Sequence, residues 1–166
     1  SFELGGRFDI LVNNAAWVRY QAIPDIQPET MDRMLDVGFK SVVWGMQAAA
    51  DAMDPERGGA IVNVLSVLSW LNIAGAATYS ASKSAAWSLT NGLRGELRAQ
   101  GTQVVGVHVG FMDTDMARGA PGPKADPLDV ARQTLAALEA GQHEVLADEL
   151  SRNVKQGLSA QAAVYL

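Results

Sequence analysis

The sequence predicts an α/β fold in which parallel strands form one sheet and helices connect them. Four short apolar runs lack polar alternation, which is typical of strands buried on both faces of a sheet. Three longer stretches between these runs carry helical patterns, and helices of this length connect parallel strands. We therefore expect right-handed crossovers, which nearly all such connections adopt.

The apolar runs place the strands in order along the chain. Residues 9–12 form the first run and residues 60–65 the second. The third covers residues 104–109, and the fourth is a short run at residues 145–147. All four are brief and contain valine or isoleucine, so each is predicted to be a strand.

The helices are predicted from periodicity and from their end signals. Apolar residues recur close to a 3.6-residue period over residues 28–53, and a second helix is expected over residues 78–99. The third helix should have Asp126 as its N-cap and Pro127 at its first helical position. Gly141 follows its last apolar residue, which is a typical helix end.

The composition indicates one ordinary globular domain over residues 1–166, with 48% apolar and 19% charged residues. The net charge is −5 and the basic residues are scattered, which argues against a nucleic-acid surface. The chain has no cysteine, so disulfides and thiolate metal sites are excluded. No apolar run is long enough to span a bilayer, and no secretory signal is recognisable, so we expect a cytoplasmic protein.

Polar residues follow three of the predicted strands at the points where the strands end. These residues are Asn13 and Asn14, Ser66, and the segment 110–114. Ligands of open parallel sheets bind at the carboxyl edge of the strands. The second long helix begins just past the same edge, so the sequence predicts one ligand site there.

That helix carries a tyrosine and a lysine four residues apart, Tyr79 and Lys83. Side chains at this spacing share one helix face. An ammonium close to a phenol favours the phenolate and lowers its pKa from about 10, which suits the phenol to general acid–base catalysis. For an isolated pair, simple packing of the lysine stem over the tyrosine would be the more ordinary interpretation.

Four motifs in the same order resemble the short-chain dehydrogenase/reductase family. Asn13-Asn14-Ala15-Ala16 resembles the family motif N-N-A-G, and residues 61–66 resemble the strand that ends in the catalytic serine. Tyr79-x-x-x-Lys83 follows that serine, Ser66, by thirteen residues, as in the family. Residues 108–114 resemble the segment P-G-x-x-x-T. The resemblance implies the C-terminal portion of a Rossmann-like, doubly wound parallel sheet.

The resemblance also implies hydride transfer between NAD or NADP and a small alcohol or carbonyl compound, without choosing between the cofactors. Tyr79 would be the acid–base group, Lys83 would lower its pKa and hold the cofactor ribose, and Ser66 would orient the substrate oxygen. The family forms dimers and tetramers, so a homodimer or homotetramer is expected. The other residues implied to contact the cofactor are Asn13, Ala15, Ala16, Gly110 and Thr114.

Two departures from the family pattern affect these expectations. The matching motifs begin at the fourth strand of the family fold, so the glycine-rich turn that holds the cofactor diphosphate is not expected in this sequence. Gly38 stands where many members carry an asparagine that helps to hold a relay water. A weakened proton relay is expected, together with a cost of about 1 kcal/mol to the helix.

A second hypothesis follows from the first departure. The chain could be an inactive, truncated Rossmann-like fragment that acts only through association. The first two helices form the dimer contact in the family, so pairing would then use Val43, Met46 and Trp87.

Several other residues are assigned by weighing function against packing. His108 lies inside a buried run and is interpreted as a hydrogen-bonded core histidine. His108 and His143 do not have metal-ligand spacing, so no metal site is predicted. Five apolar residues near the ligand edge could either line a substrate pocket or cover the core: Trp17, Trp70, Phe111, Met112 and Met116.

Overall fold

The computed structural model describes residues 8–53 and 56–165, and within them four parallel strands form one sheet. The strands lie side by side in chain order, as β1 (Ile10–Asn13), β2 (Ala60–Val64), β3 (Gln103–His108) and β4 (Glu144–Leu146). Each matches a predicted strand to within two residues. The predicted domain of residues 1–166 also includes residues 1–7, 54, 55 and 166, which lie outside the described part.

The predicted helix over residues 28–53 consists of three consecutive segments. Helix α1 (Pro28–Leu35) continues into a π-helical turn (Asp36–Lys40) and then into α2 (Ser41–Ala52). The second predicted helix is α3 (Ala77–Glu96), and the third is α4 (Pro127–Glu139). Both are confirmed.

A further helix, α5 (Glu149–Gly157), was not predicted from the sequence. Asp148 caps it by accepting a hydrogen bond from the backbone N–H of Ser151 at 2.7 Å. An N-cap of the same kind begins α4, where the Asp126 carboxylate accepts a hydrogen bond from Leu128 N–H at 2.9 Å. Within the described residues, no helix is long and apolar enough to cross a membrane.

Helices cover both faces of the sheet, with one apolar cluster on each face and a third, smaller cluster beyond the end of β2. On one face, α2 and α3 pack over β2 and β3, with Met46, Ile61 and Val104 nearly inaccessible to solvent. On the other face, α4 contributes Val130 to a cluster centred on Val105. Burial of this apolar surface is the main source of stability of such a fold.

Strand β1 is an exception to the predicted burial on both faces. Leu11 packs under α2, but Ile10 and Val12, which point to the opposite face, are 49% and 55% exposed. The cluster on that face contains Val62 of β2 and no residue of β1. The prediction is therefore wrong for β1, because α4 packs on β3 and β4, at the other side of the sheet.

The dimer contact predicted through Met46 is also contradicted. Met46 is 2% exposed and lies in the core, where its sulfur is 3.3 Å from the side-chain amide nitrogen of Asn63. On α2 the outward-facing aromatic residue is Trp44, which is 60% exposed. The helical period places residues 42, 46 and 49 against the sheet, so Met46 cannot reach a partner.

Candidate active site

A cavity of about 660 Å³ opens at the carboxyl edge of the sheet. This volume is within the range of about 300–1,000 Å³ that is usual for small-molecule sites. The register aligns the strand ends, since Asn13 pairs with Asn63 and Val64 pairs with Val107. Seven of the eight predicted site residues line the cavity together: Ala15, Ala16, Ser66, Tyr79, Lys83, Gly110 and Thr114.

Ser66 is held at the end of β2 by a short 3-10 turn (Val67–Ser69) that it caps. Its Oγ accepts a hydrogen bond from Leu68 N–H at 3.1 Å, and its own N–H donates to Ser69 Oγ at 3.3 Å. A hydroxyl has one proton to donate. Because Oγ accepts the hydrogen bond from the turn, its own proton can be donated to the phenol oxygen of Tyr79 or to a substrate oxygen in the cavity.

Tyr79 stands at the start of α3, where its phenol lines the same cavity. Burial raises the pKa of Tyr79 to about 12, Tyr20 adds to the rise, and a hydrogen bond from Ser66 opposes it. The prediction that Lys83 lowers this pKa is wrong in this structure. Desolvation of the phenolate dominates, and the lysine ammonium is engaged elsewhere.

The Lys83 ammonium is almost completely buried and donates to the carbonyl oxygen of Val64 at 2.8 Å. It lies 5.9 Å from the centroid of the Tyr79 ring. Burial lowers the pKa of Lys83 to about 8. An ammonium has three N–H donors, so two remain for a ligand in the cavity.

Asn13 is the predicted site residue that the structure places away from the cavity. Its side-chain amide donates to Asn63 Oδ1 at 2.8 Å, and Asn63 in turn donates to Thr90 Oγ1 at 2.9 Å. These two hydrogen bonds link β1, β2 and α3 inside the core. Asn14, the next residue, lines the cavity instead. The Asn13 side chain is therefore turned towards the core, and the position of Asn13 along a cofactor stays a prediction.

Sequence reasoning missed the connection between the segment after β3 and helix α5. The Asp148 carboxylate accepts from Gly110 N–H at 2.7 Å and also caps α5. A side chain at Gly110 would meet Asp148 and Leu150, at 3.1 and 3.0 Å from its Cβ. Glycine thus allows the close approach that brings Leu150 into the cavity wall.

The five apolar residues near the ligand edge separate into two groups. Phe111, Met112 and Met116 line the cavity, which favours the pocket interpretation for them. The guanidinium carbon of Arg33 lies 4.5 Å from the centroid of the Trp17 ring. Trp70 stacks on His108 with ring centroids 3.8 Å apart. Neither tryptophan is part of the cavity wall, so the packing interpretation holds for both.

Gly38 is buried in the π-helical turn, against the helix that carries Lys83. A Cβ at Gly38 would lie 2.7 Å from Ser82 Oγ, which donates to the carbonyl of Tyr79 at 2.7 Å. Ser82 is fully buried. Ser82 therefore fills the space beside Gly38, and an asparagine at this position would collide with it.

Replacing Gly38 with alanine is expected to destabilise the protein by about 1–3 kcal/mol, because the new methyl overpacks Ser82. The double variant G38A/S82A should recover most of this loss, since alanine at position 82 removes the clashing oxygen. Urea unfolding of both variants measures the difference. Gly92→Ala is the matched control: nothing lies within 4 Å of its Cβ, so about 0.5–1 kcal/mol of stabilisation is expected. Equal stability of G38A and the unmodified protein would contradict the overpacking.

A parallel sheet with helices on both faces and a cavity at its carboxyl edge defines a Rossmann-like α/β protein. Residues 2–123 match the family described as short chain dehydrogenase, and the chain belongs to that family. The resemblance seen in the motifs is thereby confirmed.

Relatives and solved structures agree with this assignment. An uncharacterized oxidoreductase of Staphylococcus aureus strain MW2 is 31% identical over 141 residues, which cover 83% of this chain and 61% of the relative. A short chain dehydrogenase of Burkholderia cenocepacia J2315, solved in complex with NADP, is 36% identical with a TM-score of 0.85. That match covers 92% of this chain and 65% of the other.

A third comparison gives the same family. A short chain dehydrogenase structure from Mycobacterium smegmatis is 31% identical with a TM-score of 0.73, and the match covers 87% of this chain and 59% of the other. The predicted Rossmann-like α/β fold is thus confirmed. The chain spans about three fifths of the length of the curated relatives it matches.

Proposed function

We propose that the protein is an NAD(P)-dependent oxidoreductase that interconverts a carbonyl compound and an alcohol. The observation that carries the proposal is the convergence of Ser66, Tyr79 and Lys83 on one cavity at the carboxyl edge of the sheet. Membership of the family supports it, as do relatives named as oxidoreductases.

The residues at the base of the cavity fit the nicotinamide end of such a cofactor. Two N–H donors of the buried Lys83 ammonium remain for ribose hydroxyls, and the small residues Ala15, Ala16 and Gly110 allow a flat ring to approach the backbone. A bound nicotinamide would supply or accept the hydride. The Burkholderia structure contains NADP, which favours that cofactor without excluding NAD.

Tyr79 and Ser66 would handle the proton at the substrate oxygen. With a pKa of about 12, Tyr79 is protonated at neutral pH and acts as a proton donor. A protonated phenol is the form needed for carbonyl reduction, while the net direction of turnover is set by the concentrations of the substrates and of the two cofactor forms. The carbonyl carbon takes the hydride, its oxygen takes the Tyr79 proton, and the tyrosinate regains a proton from water. The Ser66 hydroxyl donates a hydrogen bond to the same oxygen, keeps its proton and orients the substrate.

The substrate class follows from the cavity wall. Among the described residues, the charged side chains of the wall are Lys83, assigned above to the cofactor, and Asp115, which is exposed and paired with Arg118. Neither of them would pair with a substrate carboxylate or phosphate, so we propose a neutral, largely apolar ketone or aldehyde. The larger apolar residues of the wall include Val18, Leu68, Leu71, Ile73, Phe111, Met112, Met116 and Leu150.

A direct test measures oxidation of NADH and NADPH by the full-length protein with paired substrates. Neutral apolar ketones should be reduced, and 2-oxo acids of the same size should be much poorer substrates. Preference for the acids would overturn the substrate class. Absence of both turnover and calorimetric cofactor binding would overturn the enzyme assignment and favour the inactive, associating fragment.

The predicted homodimer or homotetramer and the cytoplasmic location remain predictions. Exposure of Trp44 on α2 supports pairing of that helix face, without the Met46 contact predicted first. Sedimentation velocity of the full-length protein would measure the association, and a monomer at micromolar concentration would contradict it.

A further inference from the structure

A buried histidine that the proposed mechanism does not use lies directly behind Ser66. His108 is the last residue of β3 and is completely inaccessible to solvent. Its Nδ1 lies 3.1 Å from the main-chain carbonyl oxygen of Ser66. We propose that His108 is a positioning residue: by donating Nδ1–H to this carbonyl it fixes the orientation of Ser66 towards the substrate oxygen. The inference rests on the proposed function of the cavity.

The hydrogen-bond partner determines the tautomer of the imidazole. A carbonyl oxygen can only accept, so Nδ1 carries the proton and Nε2 carries a lone pair. Among the described residues Nε2 has no hydrogen-bond partner, and the nearest acidic oxygen, on Glu144, is 3.7 Å away. A buried nitrogen without a partner lowers stability. Phenylalanine would pack without that cost, so packing alone does not account for a histidine here.

The surroundings keep the ring neutral and in place. Burial lowers the pKa of His108 to about 4. The hydrogen bond to the Ser66 backbone and the charge of Glu144 act in the opposite direction, whereas the charges of Lys155 and Arg94 lower the pKa further. The imidazole is therefore neutral near pH 7. Trp70 stacks on it with an interplanar angle of 20°, which restricts rotation of the ring. The Nδ1–H donor is thus permanent and fixed in direction.

The bond to His108 joins the serine turn to the sheet. The side-chain bonds at Ser66 that involve Leu68 and Ser69 lie within the turn itself. Main-chain bonds from Leu65 N–H to Val107 and from Val67 N–H to Val109, the residue after β3, hold the chain on either side, and Ser69 N–H donates to the same Ser66 carbonyl at 3.0 Å. These bonds remain when the imidazole donor is lost, so the turn should stay in place and the protein should still fold, with only a small shift of the Ser66 peptide.

Three variants separate positioning from packing: H108F has no donor, H108N places an amide N–H near Nδ1, and H108Q places one near Nε2. Steady-state kinetics of carbonyl reduction should show kcat lowered about tenfold in H108F and H108Q. KM and the cofactor Kd should change little. H108N should recover to within about threefold of the original kcat.

A double-mutant cycle shows whether His108 acts through Ser66. In an S66A background, H108F should cause no further loss of kcat, whereas a general packing defect would add its own loss. Equal impairment of all three single variants, or full activity of H108F, would overturn the inference.

Lack of turnover by the unmodified protein would instead overturn the proposed function. Nitrogen-15 NMR of the imidazole then decides on His108 independently of activity. A proton on Nδ1 is the expected result, and a proton on Nε2 would contradict the positioning bond.

Discussion

Replacing Tyr79 with phenylalanine is expected to lower kcat for carbonyl reduction by about 10²–10⁴-fold, the usual contribution of a positioned general acid. The variant loses only the phenol oxygen, which donates the proton to the developing alkoxide. The ring remains, and with it the packing against Val67 and Leu68. Cofactor affinity should therefore stay within about threefold, since Lys83 keeps its charge and position.

The measurement is single-turnover reduction with saturating cofactor, together with a fluorescence titration of cofactor binding. Tyr165→Phe is the matched control, because Tyr165 is 58% exposed and removal of its hydroxyl should leave kcat unchanged. Turnover by Y79F at the original rate would exclude Tyr79 as the proton donor. Loss of cofactor binding in Y79F would instead indicate a structural role.

The sequence could predict the strands and the long helices because their signals are local. A continuous run such as residues 104–109 and caps such as Asp126 determine an element from its own residues. The exposed face of β1 was not predictable in this way, since exposure depends on which helix packs there. Helix α5 is amphipathic but only nine residues long, with one buried apolar side chain, Val154, so it is shorter than the stretch over which a helical period is recognised.

The members of the site were predictable, but their electrostatics were not. Motif spacing brought Ser66, Tyr79 and Lys83 to one cavity. The Tyr79 pKa depends on how much solvent surrounds the phenol, and a sequence does not contain that quantity. The motif also does not show that the side chain of Asn13 turns inward to Asn63. His108 was correctly predicted to be a buried, hydrogen-bonded residue.

The burial of Lys83 leads to a second large effect, in which stability and activity change in opposite directions. Its pKa falls from 10.5 to about 8 on folding, which corresponds to about 3 kcal/mol of unfavourable free energy below pH 8. Lys83→Met removes this penalty but leaves the Val64 carbonyl without its donor, which costs about 1–2 kcal/mol. The variant should therefore be more stable at pH 7 by about 1–2 kcal/mol.

The pH dependence identifies the ammonium as the cause. Between pH 8 and 10.5 the unfolded protein binds more protons at this site than the folded protein, so the original protein gains stability as the pH rises. The advantage of K83M should shrink through this window, reach zero between about pH 9 and 10, and become a deficit of about 1–2 kcal/mol near pH 10.5, where only the lost Val64 bond remains. Urea unfolding at pH 7, 8, 9 and 10 measures it. Lys40→Met, which removes a half-exposed ammonium, should not reproduce the change between pH 8 and 10.

Activity of the same variant should fall at least tenfold, because methionine cannot donate hydrogen bonds to the cofactor ribose. Greater stability combined with lower turnover would show that the buried ammonium is retained for chemistry at a cost to the fold. If K83M were less stable than the original protein at pH 7, the ammonium would instead hold β2 and α3 together through Val64. Unchanged turnover in a more stable K83M would remove Lys83 from the proposed mechanism.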